Sequence, residues 1–169
     1  MGGTFDPFHA GHLKVAETAI EKLPIDFVWF VPAAKPPHKK KCMFSFEERI
    51  NLIKEAIKDN SSFSIWEKDI RENDKSFTYY LIKELKDLYP NYQFFFIIGA
   101  DNVLKLKTWY RFEDLLEMID FIVIDRKTQN KKEWKHLDYF HKLIFLDMPL
   151  INISSTKIRK DLIKNFNKA

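Results

Sequence analysis

The chain has 169 residues, of which 46% are hydrophobic, and this length and composition are typical of one folded domain rather than a disordered protein. Its formal net charge of +4 is compatible with an anionic ligand, but we interpret most of the lysines as a solvated surface. The densest basic run, at residues 39–41, is too short to indicate nucleic-acid binding. The single cysteine excludes an intramolecular disulfide, and no apolar run is long enough to cross a bilayer. We therefore expect a cytoplasmic protein with no nucleic-acid or membrane partner, and the sequence leaves open whether it forms a homo-oligomer.

Helical and strand patterns alternate from the start of the chain. A helical period begins at Leu13 and stops before Pro24, and an apolar run of strand length follows at residues 27–31. A basic, proline-containing loop is predicted at residues 32–43. A capping box at residues 45–48 then opens a second helix. The inward face of that helix is predicted to carry Ile50, Ile53 and Ile57.

The second half of the chain continues this alternation. Strands are predicted at 63–66, 92–98, 121–124 and 143–146, and helices at 78–88, 112–119 and from 154 onward. Residues 127–142 are polar, and we interpret them as a surface excursion in which His136 and His141 are solvated. Repeated alternation of strand and helix predicts an α/β fold with a doubly wound parallel sheet, in a single domain covering residues 1–169.

Ligands of doubly wound sheets bind beyond the carboxyl ends of the strands. In this chain, three segments whose side chains can bind ligands or take part in catalysis fall at such ends. They are residues 2–12, 99–101 and 154–159. No Gly-x-Gly-x-x-Gly and no Walker A sequence is present, which argues against dinucleotide-dependent hydride transfer and P-loop hydrolysis.

The segment Gly2-Gly3-Thr4-Phe5-Asp6-Pro7-Phe8-His9-Ala10-Gly11-His12 is the first phosphate-site candidate. His9 and His12 lie at a spacing that places both imidazoles on one face of a helix's first turn, where backbone N–H groups have no partner. A helix N-terminus attracts anions, and two imidazole donors strengthen that preference for phosphate.

The segment Ile153-Ser154-Ser155-Thr156-Lys157-Ile158-Arg159 is the second candidate. Hydroxyl groups and free N–H groups crowd the start of the last helix, and Arg159 follows about one turn later. The forked guanidinium of arginine matches phosphate oxygens. Taken alone, this segment is equally an ordinary serine N-cap with a surface arginine, so its weight comes from its pairing with the histidine segment.

The pair of motifs, (His/Thr)-x-Gly-His near the start and Ile-Ser-Ser-Thr-x-x-Arg near the end, resembles the nucleotidyltransferase superfamily and, within it, the nicotinate-nucleotide adenylyltransferases. The likeness continues through Trp29-Phe30-Val31-Pro32, Pro36-Pro37-His38-Lys39, Ser76-Phe77-Thr78, Phe96-Ile97-Ile98-Gly99-Ala100-Asp101, Trp109-Tyr110 and Arg126. That family has an apolar strand before the Gly-Gly pair. We therefore expect a Rossmann-like fold with a truncated first strand here, and hypothesise that the true start lies upstream.

The resemblance implies transfer of the adenylyl group of ATP to nicotinate mononucleotide, giving deamido-NAD and pyrophosphate in NAD biosynthesis. It implies catalytic roles for His9 and His12 on the ATP phosphates, and for Arg159 on the outgoing pyrophosphate. The other ATP-binding residues that it implies are Gly3, Thr4, Phe5, Gly99, Asp101, Ile153, Ser155 and Thr156. Asp101 would accept hydrogen bonds from a ribose, cap the following helix, or both. Mg²⁺ would be held by phosphate and water rather than by a protein cage.

For nicotinate mononucleotide, the resemblance implies that Trp109 stacks on the pyridinium ring, with core packing as the alternative role of this side chain. N–H groups near Thr78 and Tyr110 would bind the carboxylate, which needs donors where an amide would be mismatched. The remaining residues implied for this substrate are His38, Lys39 and Arg126.

Four alternatives are weighed against this interpretation. The first is a sister enzyme that uses pantetheine phosphate or another phosphate acceptor, and the second is a nucleotide-binding protein without turnover. The third is a basic RNA-binding module, which no aromatic-basic motif supports. The fourth is a zinc site formed by His9, His12, His38 and Cys42, whose spacing fits no usual zinc finger.

Overall fold

The computed structural model describes residues 1–34, 42–67, 77–125, 134–149, 151 and 153–166. The chain divides into two compact units, and each is described by itself. The first comprises Met1, Gly3–Lys75 and Ile151–Ala169, and the second comprises Gly2 and Ser76–Leu150. None of the helices in the described ranges is both long and apolar enough to span a membrane. The sequence-based expectation of a single domain stays a prediction.

The first unit alternates short parallel strands with amphipathic helices. Its elements are β1 (Gly2–Gly3), α1 (Ala10–Lys22), β2 (Val28–Pro32), α2 (Phe46–Ile57), β3 (Phe63–Ile65) and α5 (Ser155–Phe166). The sheet order is β1-β2-β3, and β2 runs parallel to β3 with Phe30 opposite Ile65. Parallel neighbours joined through helices are the βαβ arrangement that places ligand sites beyond the strands' carboxyl ends.

The start of α2 shows why the sequence forms a helix here. The Glu48 N–H donates to Ser45 Oγ at 3.1 Å, and the Ser45 N–H donates to Glu48 Oε2 at 2.6 Å, which is the predicted capping box. Ile50, Ile53 and Ile57 are buried as predicted. Arg49 is buried on the same helix, which the sequence interpretation did not foresee.

The second unit has the same alternation. Its elements are α3 (Thr78–Leu88), β4 (Phe95–Gly99), α4 (Phe112–Met118), β5 (Asp120–Asp125) and β6 (Leu143–Asp147), with 3₁₀ helices at Ala100–Thr108 and Phe140–Lys142. The sheet order is β4-β5-β6, and both pairings are parallel. The central strand β5 is an apolar run that is almost entirely buried, as expected for a strand covered on both faces.

The predicted α/β class, with parallel strands alternating with helices, is confirmed. The interpretation of residues 127–142 as a surface excursion is wrong for two aromatic residues among those described. Trp134 is buried and stacks on Phe145 with ring centroids 5.6 Å apart, and Tyr139 is buried and donates its hydroxyl to the Val103 carbonyl at 2.9 Å. Their apolar area outweighs the polarity of the surrounding sequence. His136 and His141 are exposed, as predicted.

Candidate active site

The rings of His9 and His12 form a stacked pair at the start of α1. Their centroids lie 3.8 Å apart, and the ring planes are inclined by 20°. Phe8 also stacks on His12, at 5.2 Å, and Phe5 meets the same ring edge-on at 5.0 Å. His12 is therefore held by three neighbouring rings, which restricts its orientation.

Hydrogen bonds from backbone N–H groups fix the Nδ1 atom of each imidazole. His9 Nδ1 accepts from the Gly11 N–H at 3.1 Å, and His12 Nδ1 accepts from the His9 N–H at 3.2 Å. A nitrogen that accepts carries no proton, so in this arrangement both neutral rings carry their proton on Nε2. An Nε2–H group is a donor of the kind that phosphate oxygens accept.

Gly11 makes this reciprocal capping possible. A Cβ at this position would lie 2.9 Å from both Cε1 and Nδ1 of His9, and 3.1 Å from Cγ2 of Ile153. The glycine of the His-x-Gly-His motif therefore gives room for the capping imidazole and for the first residue of the second motif.

The loop between β1 and α1 is constrained by Phe5. This residue has a left-handed backbone with φ of 49°, an uncommon conformation for a bulky side chain, and its ring is 3% exposed. A Cβ on Gly3 would lie 2.9 Å from that ring. The Phe5 ring is thus occupied by packing, so a contact of Phe5 with ATP would have to come from its backbone.

Asp6 joins the loop to the second motif. Its buried carboxylate accepts hydrogen bonds from the N–H groups of Met43 and Phe44 and lies 3.7 Å from Arg159 Nη1. The same arginine donates to the Asp6 carbonyl oxygen, and its Nη2 donates to Thr156 Oγ1 at 3.1 Å. The structure therefore brings together the two motifs that the sequence interpretation paired.

The start of α5 is capped by Ser154 rather than by Ser155. The Lys157 N–H donates to Ser154 Oγ at 3.2 Å. Ser155 instead donates its hydroxyl to the Pro7 carbonyl at 2.9 Å. In this arrangement the Ser155 hydroxyl proton is engaged with the first motif, whereas the Ser154 and Thr156 hydroxyls accept hydrogen bonds and keep their own protons as donors.

In the second unit, an aromatic cluster surrounds the start of α3. Phe77 is the N-cap residue of α3 but makes no side-chain cap, and its ring stacks on Tyr110 at 4.8 Å. Tyr80 also stacks on Tyr110, at 5.4 Å, and the hydroxyl oxygens of the two tyrosines lie 3.1 Å apart. Thr78 is thus the first residue of a helix whose N–H groups have no side-chain cap, close in space to Tyr110.

The turn that carries Tyr110 is fixed on its far side by Arg111. Arg111 has a left-handed backbone with φ of 52°, its guanidinium carbon lies 4.5 Å over the Tyr79 ring, and its Nε donates to Asp114 at 2.6 Å. The hydrogen bond with Asp114 raises the pKa of Arg111 above its ordinary value, so the cation persists.

Trp109 and Asp101 differ in how well they match their expected roles. Trp109 is partly buried and meets Phe96 and Phe121 edge-on at 5.8 and 6.1 Å, so packing explains part of its environment.

Asp101 is exposed in the first turn of the 3₁₀ helix, whose N-cap residue is Gly99 without a side-chain cap. The expectation that Asp101 caps this helix is therefore wrong, while its role towards ribose stays a prediction.

Three of the predicted site residues, His38, Lys39 and Arg126, lie outside the described residues. The residues that are described contain no group of three or more His, Cys, Asp or Glu able to hold a metal ion. The zinc alternative depends on His38, so it stays untested.

The model of the cytidylyltransferase-like family matches residues 1–161. The chain belongs to the cytidylyltransferase-like family. Two relatives of this chain are the nicotinate-nucleotide adenylyltransferase of Bacillus subtilis and a probable enzyme of the same name from Exiguobacterium sibiricum. They are 38% and 43% identical over 161 and 160 residues, which is 95% of this chain and 82% of each relative.

Solved structures agree with this membership of the cytidylyltransferase-like family. Plasmodium falciparum nicotinic acid mononucleotide adenylyltransferase in complex with NaAD matches with a TM-score of 0.77 and 29% identity, covering 99% of this chain and 86% of that one. The same enzyme in complex with APC matches with a TM-score of 0.73, covering 94% and 80% of the two chains.

The sequence interpretation missed residues that the structure places among the candidate site residues. Asp6 was read as part of the first motif without a role of its own, although a carboxylate between a Gly-Gly turn and a proline was a usable signal. Tyr80 was only part of a predicted helix, and Phe77 was named only within the stretch Ser76-Phe77-Thr78. Arg49 also had a signal, since it occupies an inward position beside Ile50 and Ile53 on an otherwise apolar helix face.

Proposed function

We propose that the protein transfers the adenylyl group of ATP to nicotinate mononucleotide, giving deamido-NAD and pyrophosphate. The main support is the likeness to nicotinate-nucleotide adenylyltransferases at 38–43% identity over 95% of the chain. The proposal gives the stacked pair of His9 and His12, whose Nδ1 atoms are fixed by the backbone, the role of donors to phosphate.

The reaction needs no covalent intermediate on the protein. An oxygen of the mononucleotide's phosphate attacks the α-phosphorus of ATP, and the bond from that phosphorus to the oxygen bridging it to the β-phosphate breaks, so pyrophosphate leaves. Such transfers depend on positioning and on stabilising charge at the phosphoryl oxygens. His9 and His12 would donate Nε2–H bonds to the ATP phosphates, and Arg159 would stabilise the negative charge that grows on the leaving pyrophosphate.

Arg159 is placed for this role by Asp6. Its hydrogen bonds to the Asp6 carbonyl and to Thr156 hold the guanidinium at the start of α5, about one helical turn beyond the N-cap. Free N–H groups at that helix start add partial positive charge, which favours an anion there. The backbone of Gly3, Thr4, Phe5 and Ile153 would complete the phosphate contacts.

In the second unit, we propose that N–H groups near Thr78 and Tyr110 bind the nicotinate carboxylate and that Trp109 stacks on the pyridinium ring. The uncapped start of α3 supports the first assignment, because helix N-termini favour carboxylates. Gly99 and Asp101 would contact the adenosine moiety, with the exposed Asp101 carboxylate accepting hydrogen bonds from ribose. His38, Lys39 and Arg126 keep their proposed phosphate and substrate roles from the resemblance.

Enzymes of this kind typically use a divalent metal ion with ATP. We propose Mg²⁺, which would neutralise charge on the ATP phosphates. We propose that phosphate oxygens and water hold the ion, as is common for Mg²⁺. We also propose a cytoplasmic enzyme, since its single cysteine can form no intramolecular disulfide.

The deciding experiment measures pyrophosphate release from ATP with nicotinate mononucleotide, beside parallel reactions with nicotinamide mononucleotide and pantetheine phosphate. We expect turnover with the acid, slower turnover with the amide, and none with pantetheine phosphate. Turnover that is fastest with pantetheine phosphate would assign the chain to the sister activity. ATP binding without turnover of any acceptor would contradict an enzymatic role.

A further inference from the structure

Arg49 is the largest side chain that the described residues bury completely, with 1% of its surface exposed. It lies in the first turn of α2, where its Nη1 donates to the carbonyl oxygens of Thr4 at 2.6 Å and Ala33 at 2.9 Å. Its guanidinium carbon lies 5.2 Å over the Phe46 ring. Its Nε is buried and has no hydrogen-bond partner among the described residues.

The charge of Arg49 has no compensating carboxylate in the described part of the chain. No Asp or Glu oxygen there forms an ion pair with its guanidinium. The buried carboxylate of this unit, Asp6, is engaged by the Met43 and Phe44 N–H groups and by Arg159. Burying an arginine without a counter-ion is unfavourable, and a buried donor without a partner adds to that cost.

The position of Arg49 connects this charge with the phosphate-site loop. Thr4 follows Gly3 at the end of β1 and precedes the turn that leads to His9, while Ala33 follows β2. A carbonyl oxygen repels an anion, and both carbonyl oxygens are bound to the same guanidinium nitrogen. A polyphosphate at this loop would therefore meet the field of a buried cation and two carbonyl oxygens whose negative charge that cation offsets.

We propose that Arg49 is an electrostatic and positioning residue for polyphosphate binding, acting through the loop that contains Thr4 and without touching the ligand. The bound anion supplies the negative charge that the protein's described residues do not. The identity of that anion as ATP or pyrophosphate rests on the proposed function.

Binding of ATP and of inorganic pyrophosphate, measured by calorimetry without the mononucleotide, tests this proposal. We expect Arg49→Gln, which keeps a donor but loses the charge, to raise both dissociation constants at least about tenfold. Arg49→Lys keeps the charge and should stay within about threefold of the unaltered protein. Lys54→Gln removes an exposed charge from the same helix and should change neither constant by more than about twofold.

Arg49→Met is a second neutral variant, to be used in case Arg49→Gln does not fold. Apolar side chains of similar volume often replace buried charges without loss of stability. Unchanged pyrophosphate affinity in either folded neutral variant would overturn the proposal. An Arg49→Lys protein that binds pyrophosphate as weakly as Arg49→Gln would also overturn it. If both neutral variants fail to fold while Arg49→Lys binds normally, the residue is only structural and the proposal fails.

The outcome is separable from that of the proposed function. If the unaltered protein binds ATP but shows no turnover, the proposed function is contradicted, and the comparison of ATP and pyrophosphate binding between the Arg49 variants is still valid. Normal turnover together with unchanged affinity in Arg49→Gln would contradict only the inference about Arg49.

Discussion

His9 and His12 are both held by backbone N–H groups of one turn: His9 Nδ1 accepts from Gly11, His12 Nδ1 accepts from His9, and the two rings stack at 3.8 Å. Because neither ring can rotate without losing its hydrogen bond, both Nε2–H groups are oriented before any ligand arrives. Orientation in advance is what makes a donor effective in stabilising a developing charge.

Replacing His12 by alanine removes one of these donors and the acceptor for the His9 N–H. We expect kcat to fall by about 10²–10³-fold, the loss typical of removing one such donor. His141→Ala makes the same change at an exposed histidine and should leave kcat near that of the unaltered enzyme. A near-normal rate for His12→Ala would remove this residue from the catalytic group.

In the Gly11→Ala variant, helix propensity and side-chain packing have opposite effects on stability. Alanine favours a helix over glycine by about 1 kcal/mol, so propensity alone predicts stabilisation. The added Cβ would lie 2.9 Å from two atoms of the His9 ring, so we expect instead a loss of about 1–3 kcal/mol in unfolding free energy and a lower kcat. Urea unfolding followed by circular dichroism measures the first quantity, and a stabilised, fully active variant would contradict the observed contact.

Asp6→Asn tests the contact between the two motifs. One carboxylate oxygen accepts from both Met43 and Phe44, and the other accepts from Met43 and faces Arg159. The amide puts an NH2 group in place of one of these oxygens, so an acceptor is lost at a cost of about 1–3 kcal/mol. The weaker attraction for Arg159 should raise the KM for ATP by about tenfold. Asp138→Asn, which breaks an exposed ion pair with Lys107, is the matched control and should alter neither stability nor KM appreciably.

Tyr80→Phe removes one hydroxyl from the stacked cluster around Tyr110 and leaves its ring in place. If this hydrogen bond helps to hold the turn that binds the nicotinate carboxylate, the KM for nicotinate mononucleotide should rise by about threefold with the KM for ATP unchanged. The Tyr110→Phe and double variants should show the same increase and no more, because all three lack the same bond. Additive increases would show that the two hydroxyls act separately.

Glu48 gives a prediction about pH. The pKa of Glu48 is lowered below its ordinary 4.5, mainly by the hydrogen bond from the Ser45 backbone and to a smaller extent by one with the Ser45 side chain. A carboxyl with a lowered pKa in the folded state stabilises the fold above the unfolded value, and this contribution is lost as the pH falls through the folded value. Unfolding in urea at about pH 7 and pH 3 should show a smaller pH effect for Glu48→Gln than for Glu47→Gln, and equal effects would exclude this capping contribution.

Periodicity and turn chemistry were enough to predict most elements of the fold. The capping box at Ser45 and the apolar runs at β2 and β5 are local signals, and the structure confirms them. The polar stretch that buries Trp134 and Tyr139 was misread because tertiary packing, which no local window contains, determines where those rings lie.

The candidate site was predictable in its motifs but not in its supporting contacts. The pairing of His9 with Arg159 followed from resemblance, whereas the connection through Asp6 depends on backbone carbonyl and N–H groups that every residue carries. Arg49 shows the same limit, since its two partners are carbonyl oxygens distant in sequence. Side-chain identity does not reveal contacts of that kind.

The hydrogen bond from Arg159 to the Asp6 carbonyl joins residues 153 positions apart in the chain. During synthesis, the loop that contains Asp6 leaves the ribosome long before its partner exists, and residues 76–150 of the second unit are made in between. The proposed phosphate site therefore cannot be completed until the last helix has been translated. Because we propose Arg159 as part of that site, we expect full activity only from chains translated through α5.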